Sequence, residues 1–143
     1  MPWLQVDISS DLVGLKTVRP RNMIAGTSYS PGKAFITFAR NFFEALAKND
    51  YQTALGKLDS SAKRWSRREL HLQIDSLTRG VGICSALAFK FSASPILEQT
   101  VSGYVLRHKL PVQNKWSDIT AVFEFTRKPA TEYFSVTLLG FET

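Results

Sequence analysis

One cysteine, Cys84, in 143 residues excludes an intramolecular disulfide. A free thiol also suits a reducing compartment better than the cell exterior. Set in an apolar stretch, Cys84 is expected to be a small buried thiol. Histidine is nearly as scarce. His71 and His108 are the two, with no His-x-x-x-His or Cys-x-x-Cys pairing, so no metal is expected. No apolar run approaches the ~18 residues of a membrane span. Residues Met1 to Asp7 lack the positive start and apolar stretch of a secretory signal, and the expected address is cytoplasmic, with no membrane association. Gly-x-Ser-x-Gly is absent. No glycine loop opens a helix to cradle phosphate, because Gly80 and Gly82 precede an apolar stretch with strand character. No cofactor is expected.

What is present describes one ordinary globular domain. A hydrophobic fraction of 44% with 21% charge is neither disordered nor membrane-like. Ten Phe, four Tyr and three Trp suit a sheet or a lined cavity. The net charge of +6 is uneven. Residues 1–90 hold 13 Lys and Arg against 7 Asp and Glu, whereas residues 91–143 hold 5 of each. Such a bias attracts an acidic partner or nucleic acid, although a solvated helical surface also produces it.

Residues 1–32 show no helical period and read as an arm packed on the domain of residues 33–143. Leu4, Val6 and Ile8 alternate as in a short edge strand. Ser30 and Pro31 then start a helix, with Phe35, Phe38, Ala39, Phe42 and Leu46 on one face. Asn49 ends it. Asp50 caps a shorter helix using Ala54, Leu55 and Leu58. Ser66-Arg67-Arg68-Glu69 is a capping box, and Trp65 and Leu70 flank it as a hydrophobic staple. Leu70, Ile74 and Leu77 continue that helix until Gly80 stops it. Beyond Val81 the period becomes 2, predicting strands at 83–92, 97–110, 117–127 and 132–142. Helices followed by strands predict an α+β fold: three N-terminal helices on a curved antiparallel sheet of four or more strands.

Among groups able to do chemistry, Glu124 is the best general acid or base, with Asp118, Tyr104, His108 and Tyr133 as neighbours. In strand alternation, however, Glu124 falls opposite the Ile119, Phe123 and Phe125 stripe, where a solvated or cross-strand-paired role is the simpler reading. Two surfaces compete for a partner. One is the Lys63, Arg64, Arg67 and Arg68 end of the helical layer, which also suits nucleic acid. The other is a strand rim carrying Tyr104, His108, Trp116 and Tyr133, which is rich in aromatic area. The rim is slightly preferred, although Trp116 folded over the sheet edge is an equal alternative.

The order of elements, with a Phe-rich first helix, resembles the nuclear transport factor 2-like cone over roughly residues 33–142. Two stretches sharpen the resemblance. One is FEALAKNDYQTALGKLD (43–59) leading to RWSRREL (64–70), and the other is LPVQNKWSDIT (110–120). Together they look like small bacterial proteins of that fold, some of them immunity proteins that bind and neutralise a cognate toxin. The same fold houses isomerases, cyclases and dehydratases, whose acid–base constellations this chain does not display. The resemblance therefore implies a non-catalytic, toxin-binding protein, monomeric or homodimeric, and the basic charge implies a toxin with an acidic face. A small-ligand or isomerase-like pocket protein of the same fold is the alternative, and a nucleic-acid-binding module is a further one.

Overall fold

The computed structural model describes residues 3–5, 31–59, 65–129 and 133–143. The order of elements is β1 (Trp3–Gln5), α1 (Pro31–Ala47), α2 (Tyr51–Gly56), α3 (Arg67–Leu77), β2 (Ile96–Gln99), β3 (Gly103–Val112), β4 (Lys115–Arg127) and β5 (Tyr133–Glu142). All strand pairs are antiparallel, in the order β1-β5-β4-β3-β2. Strands β2 to β5 form a meander, and the short β1 adds to the outer side of β5.

The phenylalanines of α1 explain how helix and sheet meet. Phe35 stacks on Phe125 at 4.0 Å and meets Phe134 edge-on at 5.1 Å. Phe38 and Phe42 both meet Phe123 edge-on, at 5.9 and 5.4 Å. Aromatic rings favour such offset and edge-to-face contacts because the ring edge is positive and the face negative. On the sheet side the contacts come from one strand face: Tyr104 and Leu106 of β3, Ala121, Phe123 and Phe125 of β4, and Phe134, Val136 and Leu138 of β5, all buried. This is the stripe expected from period-2 alternation in β4 and β5.

The helix signals act largely as the sequence implies. Asn49 ends α1 with a left-handed φ of +58°. The Asp50 side chain accepts from the Thr53 backbone amide at 3.2 Å and from its hydroxyl at 2.7 Å, starting α2. The Ser66 hydroxyl accepts from Glu69 N–H at 3.0 Å, which forms the serine half of the box. Past α3, Arg79 and Gly80 both turn left-handed, and Gly80 N–H donates to the Asp75 carbonyl at 2.8 Å. Ser30, Val6 and Ile8 lie outside the described residues.

Two strand boundaries differ from expectation. Residues 83–92 do not form a strand. Cys84 N–H donates to the Pro111 carbonyl at 3.0 Å, but proline has no N–H to return, so a ladder cannot propagate there. The expected strand 97–110 is split by a turn, in which Thr100 N–H donates to the Gly103 carbonyl at 2.7 Å and Gly103 N–H to the Thr100 hydroxyl at 3.1 Å. Alternation through Val101 hid that turn, since Val101 sits fully exposed at its tip.

Gly103 is needed for close approach. A Cβ built there would lie 1.9 Å from the Phe125 carbonyl oxygen, a backbone atom that cannot swing away. Gly103→Ala is therefore expected to lower stability by about 1–3 kcal/mol, the usual cost of overpacking. Chemical denaturation checks it, and an unchanged midpoint would contradict the close approach.

Candidate functional site

Residues 81–95 form a long irregular connection from α3 to β2. Loops of this length inside a compact domain are uncommon and often functional. This one is fastened at four points. Ala86 N–H donates to the Glu44 carboxylate of α1 at 2.8 Å. Cys84 N–H reaches Pro111, and Asn114 N–H donates to Cys84 Sγ at 3.3 Å. The Trp116 indole Nε1–H donates to the Phe91 carbonyl at 2.8 Å. Cys84 is thus a partly buried anchor of the loop rather than a core thiol. Within the loop Ala86 and Ala93 are buried, whereas Leu87 and Phe91 are each 83% exposed.

The floor under the loop is polar and aromatic. The Trp116 ring meets Phe89 at 4.8 Å and His108 at 5.3 Å, and the Arg40 guanidinium lies 5.3 Å from its centroid. His108 also meets Phe43 at 5.3 Å. Two features aim Trp116 here. Gln113 and Asn114, both left-handed at φ +53° and +64°, make a tight two-residue turn. The β3–β4 register then shifts, from Lys109 opposite Thr120 to Pro111 opposite Trp116. The Ser117 hydroxyl bridges the irregularity, donating to the Leu110 carbonyl at 2.9 Å and accepting from Ile119 N–H at 3.2 Å.

His108 is fully buried. Its Nδ1 lies 2.8 Å from the Lys109 carbonyl. A carbonyl only accepts, so Nδ1 carries the proton and Nε2 is a bare acceptor. Among the described residues Nε2 has no hydrogen-bond partner, and neither does the buried Nε of Arg40. Burial, together with the nearby Arg40 charge, pulls the His108 pKa down to about 4, against the lifting effect of the Lys109 carbonyl. Burial also lowers the Arg40 pKa from its ordinary value. At neutral pH the imidazole is uncharged.

The expected aromatic rim does not assemble as a surface. Tyr104 and His108 are core residues, because at two-residue spacing they share with Leu106 the face covered by α1. Tyr104 packs against Phe35 and Phe134. Tyr133 is 44% exposed, but it lies at the β4–β5 turn, the opposite end of the sheet from the half-buried Trp116. Asp118 is exposed on the β4 irregularity, and Glu124 is half-buried between Val105 and Thr137 on the face away from α1. Six strand residues put about 20 Å between these carboxylates, so they share no pocket. Among the described residues, no three His, Cys, Asp or Glu side chains come together to hold a metal ion. Also among the described residues, no helix is long and apolar enough to cross a membrane.

The basic end is partly visible. Arg67 and Arg68 are exposed on the first turn of α3. They line an open cleft of about 500 Å³ with Asn49, Tyr51 and His71. Lys63 and Arg64 lie outside the described residues. Sequence reasoning missed Arg40, Glu44, Leu87 and Phe91. Arg40 and Glu44 stood on the rim of the apolar stripe of α1, and Leu87 and Phe91 were absorbed into a false strand. No protein family, curated protein or solved structure matches the chain.

Proposed function

We propose that this chain is a non-catalytic binding protein of the immunity type, which neutralises a cognate bacterial toxin in the cytoplasm. The carrying observation is a fastened loop that holds two large apolar side chains, Leu87 and Phe91, in solvent. Exposed apolar groups on a pinned backbone lose little freedom on binding, so more of their burial appears as affinity. Lys90 precedes Phe91 in the chain, Lys115 precedes the Trp116 that bonds the Phe91 carbonyl, and both are exposed, which fits a partner whose apolar cleft has an acidic rim. Three helices with an antiparallel open sheet are also what the nuclear transport factor 2-like cone would supply, and on that fold function lies in the site rather than the scaffold.

The test is to co-express the chain with the toxin-like product of a neighbouring gene. The parent is expected to restore growth and to bind the purified toxin. Leu87→Asp with Phe91→Asp should weaken binding at least ~100-fold, as loss of central anchors does, with the denaturation midpoint unchanged. Equal binding by this variant would move the interface elsewhere. A small-ligand pocket of the same fold is the second reading. It draws on the unpartnered His108 Nε2 and Arg40 Nε beneath the loop, and native mass spectrometry showing a retained ligand would favour it.

A further inference from the structure

We propose that the cleft between the α1–α2 turn and the start of α3 binds a small phosphate monoester, at a site separate from the exposed loop. Its lining is rich in donors. Arg67 and Arg68 bring two guanidinium forks, and Asn49 brings an amide. His71 Nδ1 lies 3.3 Å from the Tyr51 hydroxyl. With that hydroxyl donating to Nδ1, the ring keeps Nε2–H as a further donor. Among the described residues, the cleft wall includes no carboxylate. Two carboxylates flank the lining residues in sequence: Glu69, which follows Arg68 on the first turn of α3, and Asp50, between Asn49 and Tyr51, whose oxygens are already engaged by the Thr53 amide and hydroxyl. The Asp50 charge is felt by Arg67, and the Asp50 pKa is lowered chiefly by those Thr53 bonds. Neither Arg67 nor Arg68 makes a salt bridge to another described residue.

Two guanidiniums with no salt bridge among the described residues match a dianion better than a single carboxylate, and their planar forks fit phosphate oxygens two at a time. The α3 dipole adds positive potential at the same end. A volume of about 500 Å³ falls in the range of small-molecule sites, which is more room than an isolated ion needs. A second cavity of about 270 Å³ adjoins it and shares Asn49, Tyr51 and His71. That compartment is walled by Leu46, Ile74 and Ile83 and carries the Asp75 carboxylate. The combined site is cationic at one end and accepts hydrogen bonds at the other. Such a site selects a phosphate whose organic part carries hydroxyl or amino donors, as in a nucleotide or a sugar phosphate.

Calorimetric titration at low salt tests this with inorganic phosphate, acetate, ribose 5-phosphate, AMP and a single-stranded oligonucleotide. The parent should bind phosphate at least ~10-fold tighter than acetate, and one monoester tighter than phosphate, in line with paired charge-assisted bonds. Which of the two esters binds tighter identifies the organic part. Arg67→Gln with Arg68→Gln should lose at least ~10-fold in phosphate affinity, whereas Arg107→Gln on the sheet should not. Asp75→Asn should weaken the monoester and leave inorganic phosphate unchanged. Equal phosphate affinity of parent and double variant overturns the site, as does an absence of phosphate binding by the parent. An oligonucleotide that outcompetes both monoesters, with a salt slope growing with its phosphates, also overturns it in favour of nucleic acid.

Discussion

Trp65→Ala should lower stability by about 3–5 kcal/mol, the range for truncating a large core aromatic. The Trp65 ring is buried and packs against Phe141 at 6.1 Å. Its Nε1–H donates to the Leu138 carbonyl at 2.7 Å. That carbonyl lies on the side of β5 where the three-residue β1, paired only with Tyr133 to Ser135, does not reach. Nearby, Asp59 N–H donates to the Val136 carbonyl at 2.6 Å, and the Ser135 hydroxyl donates to the Asp59 carboxylate. Asp59 and Trp65 thus serve carbonyls along a strand edge that no neighbouring strand covers among the described residues. Removing the indole leaves both a cavity and a carbonyl without its donor. Ser66→Ala, which removes only the cap, should cost about 1 kcal/mol. Denaturation of both variants separates the two contributions. A Trp65→Ala variant as stable as the parent would free that ring for binding and strengthen a nucleic-acid role for the basic end.

The same residues show why some of the fold could be read and some could not. Local signals act over three or four residues, so Asp50, Ser66 and Gly80 announced helix ends without help from the rest of the chain. Alternation placed Phe123, Phe125, Phe134 and Val136 on one face, because a strand must bury one side. It failed at 83–92, where Leu87, Phe89 and Phe91 alternate with Ala88, Lys90 and Ser92 but no partner strand pairs with them among the described residues. Whether a strand forms depends on a neighbour's free N–H and carbonyl, and Pro111, far along the chain, has only the carbonyl. The site suffered from the same distance. His108 and Trp116 look separate in sequence, and they meet through a register shift and a tight turn. Arg67 and Arg68 were legible as charge, but the cleft they line needs the Asn49 turn to bring Tyr51 beside His71.

The pH dependence of stability should carry the signature of His108. Its folded pKa of about 4 lies below the ordinary histidine value near 6.5. Between these values the unfolded chain takes up a proton that the folded chain refuses. Stability from this group is therefore complete above about pH 6.5 and is lost as pH falls toward 4, with a full span of about 3 kcal/mol. Between pH 7 and 5 the loss should be about 2 kcal/mol. The cause is structural: Phe43 and Trp116 enclose the ring, the Arg40 charge opposes a second positive charge, and the Glu44 carboxylate on the same helix is held by Ala86 N–H. His108→Leu replaces the imidazole with an apolar side chain of similar bulk and no titrating group. Carboxylates common to both proteins cancel when the two are compared. Urea midpoints measured at pH 7, 6 and 5 should fall more steeply for the parent than for His108→Leu. Parallel curves would mean that the imidazole accepts its proton in the folded chain as readily as in the unfolded one, and that water or the Lys109 carbonyl compensates the charge beneath the loop.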